Sequence, residues 1–302
     1  MGHEPSRTRC KAVVAPSIPT FLISTLMTNH ISDGDTLAVH RVRHPLKFRQ
    51  LRVLRTQQVS AQLLRITLTG DDLEGFISAS FDDHIKVFLP DANGVMPPLP
   101  TATPDGVVYA EGAPRPIARD YTPRRYDAKT RELDIEFFLH ATGPASDWAR
   151  AAQPGDMLGV GGPRGSFVVP TGFDWHVLIG DESALPAIAR RFEELPPQAR
   201  VVALIEVADA SAQIALPTQA QAHVTWVHRS DVVDGGEPLL ARAARKLVLP
   251  EGEGYVWVAA ESVVTRAVRQ VMVDAHGVAK SRIRASSYWK RGAAGVHETI
   301  DD

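Results

Sequence analysis

Cysteine is almost missing from this chain: Cys10 is the only one in 302 residues. No internal disulfide can form, and neither a four-cysteine zinc site nor a cysteine-ligated iron–sulfur cluster can be built. A reducing cytosol fits that composition. Long apolar runs are also lacking. Residues 12–30 are uncharged and follow Arg7, Arg9 and Lys11 in the manner of a signal peptide, but Pro16 and Pro19 interrupt them. No other segment approaches the roughly 20 apolar residues that a spanning helix needs, so no membrane partner is expected. Neither charge sign dominates, with 33 basic against 35 acidic side chains. That balance argues against a protein that coats nucleic acid, and it makes any anion site a local one. There is no phosphate-loop pattern and no Gly-x-Ser-x-Gly elbow, so nucleotide hydrolysis and esterase chemistry have no support. His40 and His44 have the spacing of a helical metal pair, yet no Glu follows His40, and no metal site is expected.

What is present is an ordinary globular composition, 44% hydrophobic and 23% charged, long enough for about two domains at roughly 150 residues each. The chain changes character at Pro170-Thr171-Gly172-Phe173-Asp174. Upstream, runs at 48–56, 61–69, 84–89 and 133–139 are rich in branched and aromatic residues and bounded by turn signals, the pattern of a small antiparallel barrel. Downstream, apolar strand-like runs at 176–179, 201–207, 223–227 and 255–259 alternate with helical stretches at 184–195, 238–247 and 263–275. That alternation predicts a parallel sheet with helices on both faces. The expected division is a largely disordered leader at 1–46, a barrel domain at 47–171 and an α/β domain at 172–302. Translation is expected to start at Met27, which would leave residues 1–26, Cys10 included, without a structural role. The stretch 90–116 holds seven prolines and reads as a loop or as a hairpin with a long tip.

The most informative segment is Arg119-Asp120-Tyr121-Thr122-Pro123-Arg124-Arg125. Period-2 alternation puts Arg119, Tyr121 and Pro123 on one face. An arginine, an aromatic ring and a hydroxyl this close together can neutralise a phosphate, cover a flat ring system and bond a ring nitrogen; an edge strand with solvated charges reads equally well. Next, His140-Ala141-Thr142-Gly143-Pro144-Ala145-Ser146-Asp147-Trp148 has the form of a strand end, a glycine turn and a helix start. Such an N-terminus suits a pyrophosphate, although Ser146 or Asp147 capping an ordinary helix fits the same residues. Together the two segments are what a bound flavin dinucleotide needs. Residues 159–166 lack the glycine spacing of the dinucleotide fingerprint and read as a tight turn closing the barrel. Val177-Leu178-Ile179-Gly180-Asp181-Glu182-Ser183-Ala184 is the first strand-to-helix turn of the second domain, where ligands of a doubly wound sheet bind. Ala259-Ala260-Glu261-Ser262 repeats it.

On these segments the chain resembles the siderophore-interacting, FAD-dependent ferric-siderophore reductases of the ferredoxin–NADP reductase superfamily, from about Phe48 to Gly292. The carriers are Asp82-Asp83-His84-Ile85-Lys86, Arg119-x-Tyr121-Thr122-Pro123-Arg124, Gly143-Pro144-Ala145-Ser146-x-Trp148-Ala149, Gly162-Pro163-Arg164-Gly165-Ser166, Gly180-Asp181-Glu182-Ser183-Ala184-Leu185-Pro186-Ala187 and Tyr288-Trp289-Lys290-Arg291-Gly292. The resemblance implies an N-terminal antiparallel FAD-binding β-barrel followed by a nicotinamide-nucleotide-binding α/β domain with a parallel sheet. It implies that Arg119, Tyr121, Thr122, His140, Gly143, Ala145, Ser146 and Trp148 hold FAD. Gly180, Asp181, Glu182, Ser183, Ala184, Glu206, Arg229, Ala260 and Glu261 would face NADH or NADPH. Lys86, Arg124, Lys290 and Arg291 would form a basic pocket for an anionic ferric siderophore. No protein side chain is expected to be catalytic, because the flavin carries the chemistry.

Two departures stand out: Ala260 where the family often has glycine, and a tail after Gly292 without an aromatic residue to cover the flavin. The activity implied is cytoplasmic transfer of electrons from NAD(P)H through FAD to Fe(III) in a siderophore, by a monomer, with Fe(II) released. A general NAD(P)H-dependent or ferredoxin-fed flavoprotein reductase and a siderophore-binding protein without redox activity remain the alternatives. Glu206 and Asp209 would suit a ribose diol, whereas His228 and Arg229 would suit a 2'-phosphate, so the donor stays open at this point.

Overall fold

In the computed structural model, the residues described are Met1, 37–140, 142–231, 236–293, 295 and 298–300; apart from Met1, the expectation for residues 1–26 lies outside them. The N-terminal half is built of β1 (His40–Arg43), β2 (Phe48–Ser60), β3 (Leu63–Thr69), β4 (Ile85–Phe88), the hairpin β5 (Thr101–Thr103) and β6 (Gly106–Val108), β7 (Ala118–Tyr121), β8 (Pro123–Asp127) and β9 (Glu132–Phe138). Helix α1 (Pro144–Ala151), β10 (Met157–Gly161) and β11 (Gly165–Val168) complete it.

Seven of these strands form one antiparallel sheet in the order β7-β4-β10-β2-β3-β9-β8. Its two edge strands, β7 and β8, are consecutive in the chain and separated only by Thr122. One residue spans at most about 3.5 Å, so the two edges come together at that end and the sheet curls into a barrel-like half-cylinder. The alternation expected through Arg119, Tyr121 and Pro123 therefore stops at Thr122, where the chain passes from one edge to the other, and Pro123 is buried. Along β9, Leu133, Ile135 and Phe137 point into the barrel core with Leu51, Ile66 and Val160. Asp134, Glu136 and Phe138 lie on the opposite face, as period 2 requires.

The leader expected to be disordered through residue 46 is ordered at its end. β1 pairs antiparallel with β11 in the register His40↔Val168, and His44 Nε2 lies 2.8 Å from Ser166 Oγ. Val42 and Arg43 close over Gly165, where a Cβ would meet the Val42 carbonyl at 2.5 Å, so the short strand reads as a leader only until its partner is known. The turn at 162–164 joins β10 to β11, and the proline-rich stretch carries the β5–β6 hairpin.

The second half contains β12 (Trp175–Asp181), α2 (Leu185–Glu194), β13 (Arg200–Val207), β14 (Gln221–His228), α3 (Leu239–Arg245), β15 (Gly254–Glu261), α4 (Ser262–Asp274), β16 (Ile283–Trp289) and β17 (Glu298–Thr299). The sheet order is β14-β13-β12-β15-β16-β17, parallel except for β17. Side-chain alternation gives each strand two apolar faces. Leu178, Ile205 and Trp257 pack with Ile188 and Phe192 of α2; Val177, Leu204 and Val258 pack with Leu240 of α3 and Val268 of α4.

The α2 face is continuous with the barrel, since Phe81 meets Trp257 at 5.4 Å between ring centres. Buried charge completes the joint. Asp82 accepts from Arg284 Nε at 2.9 Å and from Tyr288 Oη at 3.2 Å. Arg124 binds both carboxylate oxygens of Glu193, and Arg190 donates to Ser78 and to the Pro123 carbonyl. Among the described residues no helix is long and apolar enough to cross a membrane.

His176, on β12, is buried beside Arg191. Burial first, and then the Arg191 charge, press its pKa down to about 3 from the 6.5 of a free imidazole. Below pH 6.5 the unfolded chain binds a proton that the folded chain refuses, so stability should fall as pH drops from 6.5 towards 3, with no contribution above that window. Replacing His176 by Leu should flatten the acid slope of the urea midpoint between pH 6.5 and 4. A variant that keeps the parental slope would assign the acid lability to other groups.

Candidate functional site

The turn after β12 shows how the second domain builds its half of the site. Asp181 ends the strand almost fully buried, and its carboxylate accepts four hydrogen bonds. Oδ1 takes the amide and hydroxyl of Ser183, and Oδ2 takes the Glu261 amide at 3.1 Å and the Trp289 indole N–H at 2.8 Å. Burial pushes this carboxyl up, and the hydrogen bonds from Ser183 and Trp289 pull it back. One side chain thus ties together the carboxyl ends of β12, β15 and β16. Glu261 caps α4 through the amides of Val263 and Val264, and its other oxygen accepts the Arg291 amide. Gly180 makes the crossing possible, because a Cβ there would lie 2.4 Å from the Ala184 Cβ and 2.7 Å from the Ala259 carbonyl.

Beside this knot, Arg229 pairs with Glu182 through both nitrogens and with Glu206 at 3.2 Å. Glu182 also accepts the Ala208 amide. Burial raises the Glu206 carboxyl, against the pull of Arg229. Glu206 and Arg229, which pointed to opposite donors in the sequence, are therefore one ion-paired cluster.

Across from these strand ends lies the barrel rim, and between them opens a cavity of about 1150 Å³. Arg119, Tyr121, Thr122, His140 and Gly143 line it from the barrel; Asp181, Glu182, Ser183, Glu206, Arg229 and Glu261 line it from the second domain, joined by Arg291. Arg119 donates to the Ala118 carbonyl at 2.8 Å, and none of the described carboxylates pairs with it. The N-cap of α1 is Gly143, which makes no side-chain cap bond. The His140 ring packs over Gly143, where a Cβ would come within 2.5 Å of Cε1. Burial raises the Tyr121 phenol above its ordinary range and keeps it neutral; its ring also tilts against Phe137 at 4.4 Å.

Several expected residues are placed elsewhere. Lys86 is half exposed and pairs with Asp120 at 2.7 Å, outside the cavity lining. Arg124 is buried in the joint with Glu193 and is not a free basic group. Lys290 is exposed in the turn after β16 and does not line the cavity. Of the proposed basic pocket only Arg291 reaches the lining, because the other charges meet carboxylates or solvent first. Trp148 packs on Phe137 at 5.6 Å beside the barrel core. The Ser146 hydroxyl turns back to the Phe138 carbonyl, and Ala145 lines the cavity rim. Gly180, Ala184 and Ala260 shape the turns from beneath, buried and off the lining.

The cavity also recruits residues that the sequence did not single out for it. Leu63, Glu136 and Phe138 come from the outer face of the barrel sheet, and Arg242, Tyr288 and Trp289 from the second domain. Trp289 supplies an aromatic side chain upstream of the tail. The regular alternation of β9 was the available signal for Glu136 and Phe138, which fall on the face away from the core. Among the described residues no group of three His, Cys, Asp or Glu is placed to hold a metal ion.

Comparison with known proteins bears on this cavity. A family model described as the siderophore-interacting FAD-binding domain matches residues 52–167, and one described as siderophore-interacting protein matches residues 173–292. The chain is 42% identical over 253 residues to the NADPH-dependent ferric-chelate reductase of Escherichia coli K12, covering 82% of this chain and 95% of that one. It is 38% identical over 248 residues to the ferric vibriobactin reductase ViuB of Vibrio cholerae, covering 81% and 90%. A crystal structure of a siderophore utilization protein from T. fusca superposes with a TM-score of 0.78 at 38% identity, covering 86% and 98%.

Gly180→Ala should force β12 and β15 apart at the knot, since one of the two clashing groups is backbone. Overpacking of this kind costs about 1–3 kcal/mol, readable as a lower urea midpoint with an unchanged slope. A variant as stable as the parent would show that the turn can open without strain.

Proposed function

The chain belongs to the siderophore-interacting protein family, and from that premise we propose that it is a ferric-siderophore reductase, moving electrons from NAD(P)H through FAD to Fe(III) held by a siderophore. The observation that carries this reading is a single cavity with two unlike walls. The barrel wall offers an arginine without a carboxylate partner among the described residues and a helix start without a side-chain cap; the other wall is the carboxyl ends of a parallel sheet at its switch point, between β12 and β15.

The residues fit FAD. Arg119 suits its pyrophosphate, and so do the open amides of Ala145 and Ser146 at the start of α1. Tyr121, Leu63 and Phe138 give apolar surface for a flat ring. Glu136 Oε2, buried and without a partner among the described residues, suits a donor such as a ring N–H. Bound FAD supplies the conversion of a two-electron donation into one-electron transfers. NAD(P)H yields a hydride, that is two electrons and a proton; two ferric centres would take one electron each and leave as weakly held Fe(II), and the proton would pass to solvent.

On the opposite wall, the Asp181 knot holds the strand ends at a fixed spacing, and Ser183, Glu182 and Arg229 border the place where a nicotinamide nucleotide enters. Arg229 can turn from its carboxylates towards a 2'-phosphate, which favours NADPH; ferredoxin is the alternative donor. Arg291 is the arginine we assign to the anionic acceptor and its approach. The single cysteine suits a reducing compartment, the cytoplasm, where we propose that the protein works as a monomer.

Purified protein should carry FAD, not FMN. Arg119→Ala should lose about 2 kcal/mol of that binding, on the order of 30-fold in Kd. Fluorescence titration checks it, and full retention of FAD by the variant would contradict the assignment. Arg229→Ala should slow anaerobic bleaching of the flavin by NADPH more than by NADH. Equal effects on both donors would put the 2'-phosphate elsewhere. Reoxidation of the bleached protein by ferric siderophores tests the reaction as a whole, and a reduced flavin indifferent to them would leave the general reductase.

A further inference from the structure

Glu136, which the reading above leaves in need of a donor, is the least exposed charged residue of the cavity lining. It lies on β9 with 3% of its surface exposed. Oε1 is held by Arg65 Nε at 3.0 Å and by Arg65 Nη2 at 2.5 Å, and Arg124 Nε stands 3.8 Å away. Oε2 is buried and has no hydrogen-bond partner among the described residues, while the residue lines the cavity. A buried carboxylate oxygen left without a donor costs far more than a paired one, so Oε2 is placed to accept from a ligand that enters the cavity.

Its neighbours narrow the choice. β8 and β9 pair with Pro123 opposite Ile135, which sets Thr122 and Glu136 side by side on the next step of the two strands. Phe138, two residues further on, shares the Glu136 face and pairs with Leu63. The carboxylate thus sits among the apolar and hydroxyl groups suited to a flat ring, not beside the Arg119 and Gly143 groups suited to phosphate. Oxidised isoalloxazine carries one N–H, at N3.

We propose that Glu136 Oε2 accepts the N3–H of the bound flavin, fixing the ring in its plane and setting its reduction potential. This rests on the FAD reading above. The charge has a direction: reduction adds negative charge to the ring, and a neighbouring carboxylate opposes it, so Glu136 holds the potential down. Arg65 neutralises part of that charge. Arg124, bonded to Glu193 of α2, ties the same carboxylate to the second domain.

Two measurements test this. In the parent, apoprotein should bind 3-methyl-FAD at least tenfold more weakly than FAD, because methylation removes the donor. In Glu136→Gln, the midpoint potential of bound FAD, read by spectroelectrochemistry, should rise by about 30 mV, the equivalent of a tenfold change in the ratio of affinities for reduced and oxidised flavin. Equal binding of the two flavins by the parent would overturn the proposal even if the variant fails to fold. A Glu136→Gln protein with weaker FAD binding and an unchanged potential would place the carboxylate on the ribityl hydroxyls and overturn the ring assignment. A parent that binds no FAD would instead remove the reading on which the proposal rests.

Discussion

Thr122 joins two strands that lie at opposite edges of a seven-stranded sheet, and that single-residue link constrains everything built on the barrel. It brings the end of β7 to the start of β8, so Arg119 and Tyr121 from one edge and Arg124 from the other lie close together although they belong to different strands. The second domain docks on the same rim: Arg124 reaches Glu193, and Arg190 reaches the carbonyl of Pro123. The cavity exists because the segment that closes the barrel is also the segment that the α/β domain grips.

The grip is ionic where it is buried. Asp82 receives Arg284 and Tyr288 inside the joint, in contact with the Phe81–Trp257 pair. Breaking one partner of such a pair leaves an uncompensated charge away from water, a cost of about 3–5 kcal/mol. Apolar packing gives the joint its area, and the ion pairs give it one orientation. That orientation sets the distance between the barrel rim and the strand ends, which an electron-transfer site must keep short.

Within the cavity, the acidic groups divide by what they hold. Asp181 and Glu261 satisfy backbone and indole donors, Glu182 and Glu206 balance Arg229, and Glu136 balances Arg65. Pairing with Arg229 and Arg65 offsets part of this negative charge, so the attraction of an anionic acceptor rests on the arginines of the lining that hold no carboxylate among the described residues. Arg119, without a carboxylate partner among the described residues, stands out as the positive group of the barrel wall.

Periodicity alone determined the two halves, the parallel sheet downstream and the antiparallel strands upstream, because apolar alternation and helical spacing are local properties of a dozen residues or fewer. The turns at Gly143 and Gly180 were legible because a glycine between a strand-like run and a helical stretch is a local signal; the Ala259 carbonyl that excludes a Cβ at Gly180 is brought there by the fold. The strand at His40–Arg43 was not, because four mixed residues become a strand only when Gly165–Val168 lies beside them. Tertiary structure alone decided which charges remain available to a ligand. Lys86 finds Asp120 from 34 residues away, Arg124 finds Glu193 from 69 and Arg284 finds Asp82 from 202. A long charged side chain has the same sequence signature whether it meets water, a carboxylate or a ligand. The partner that distinguishes those cases is supplied by the packing of distant strands.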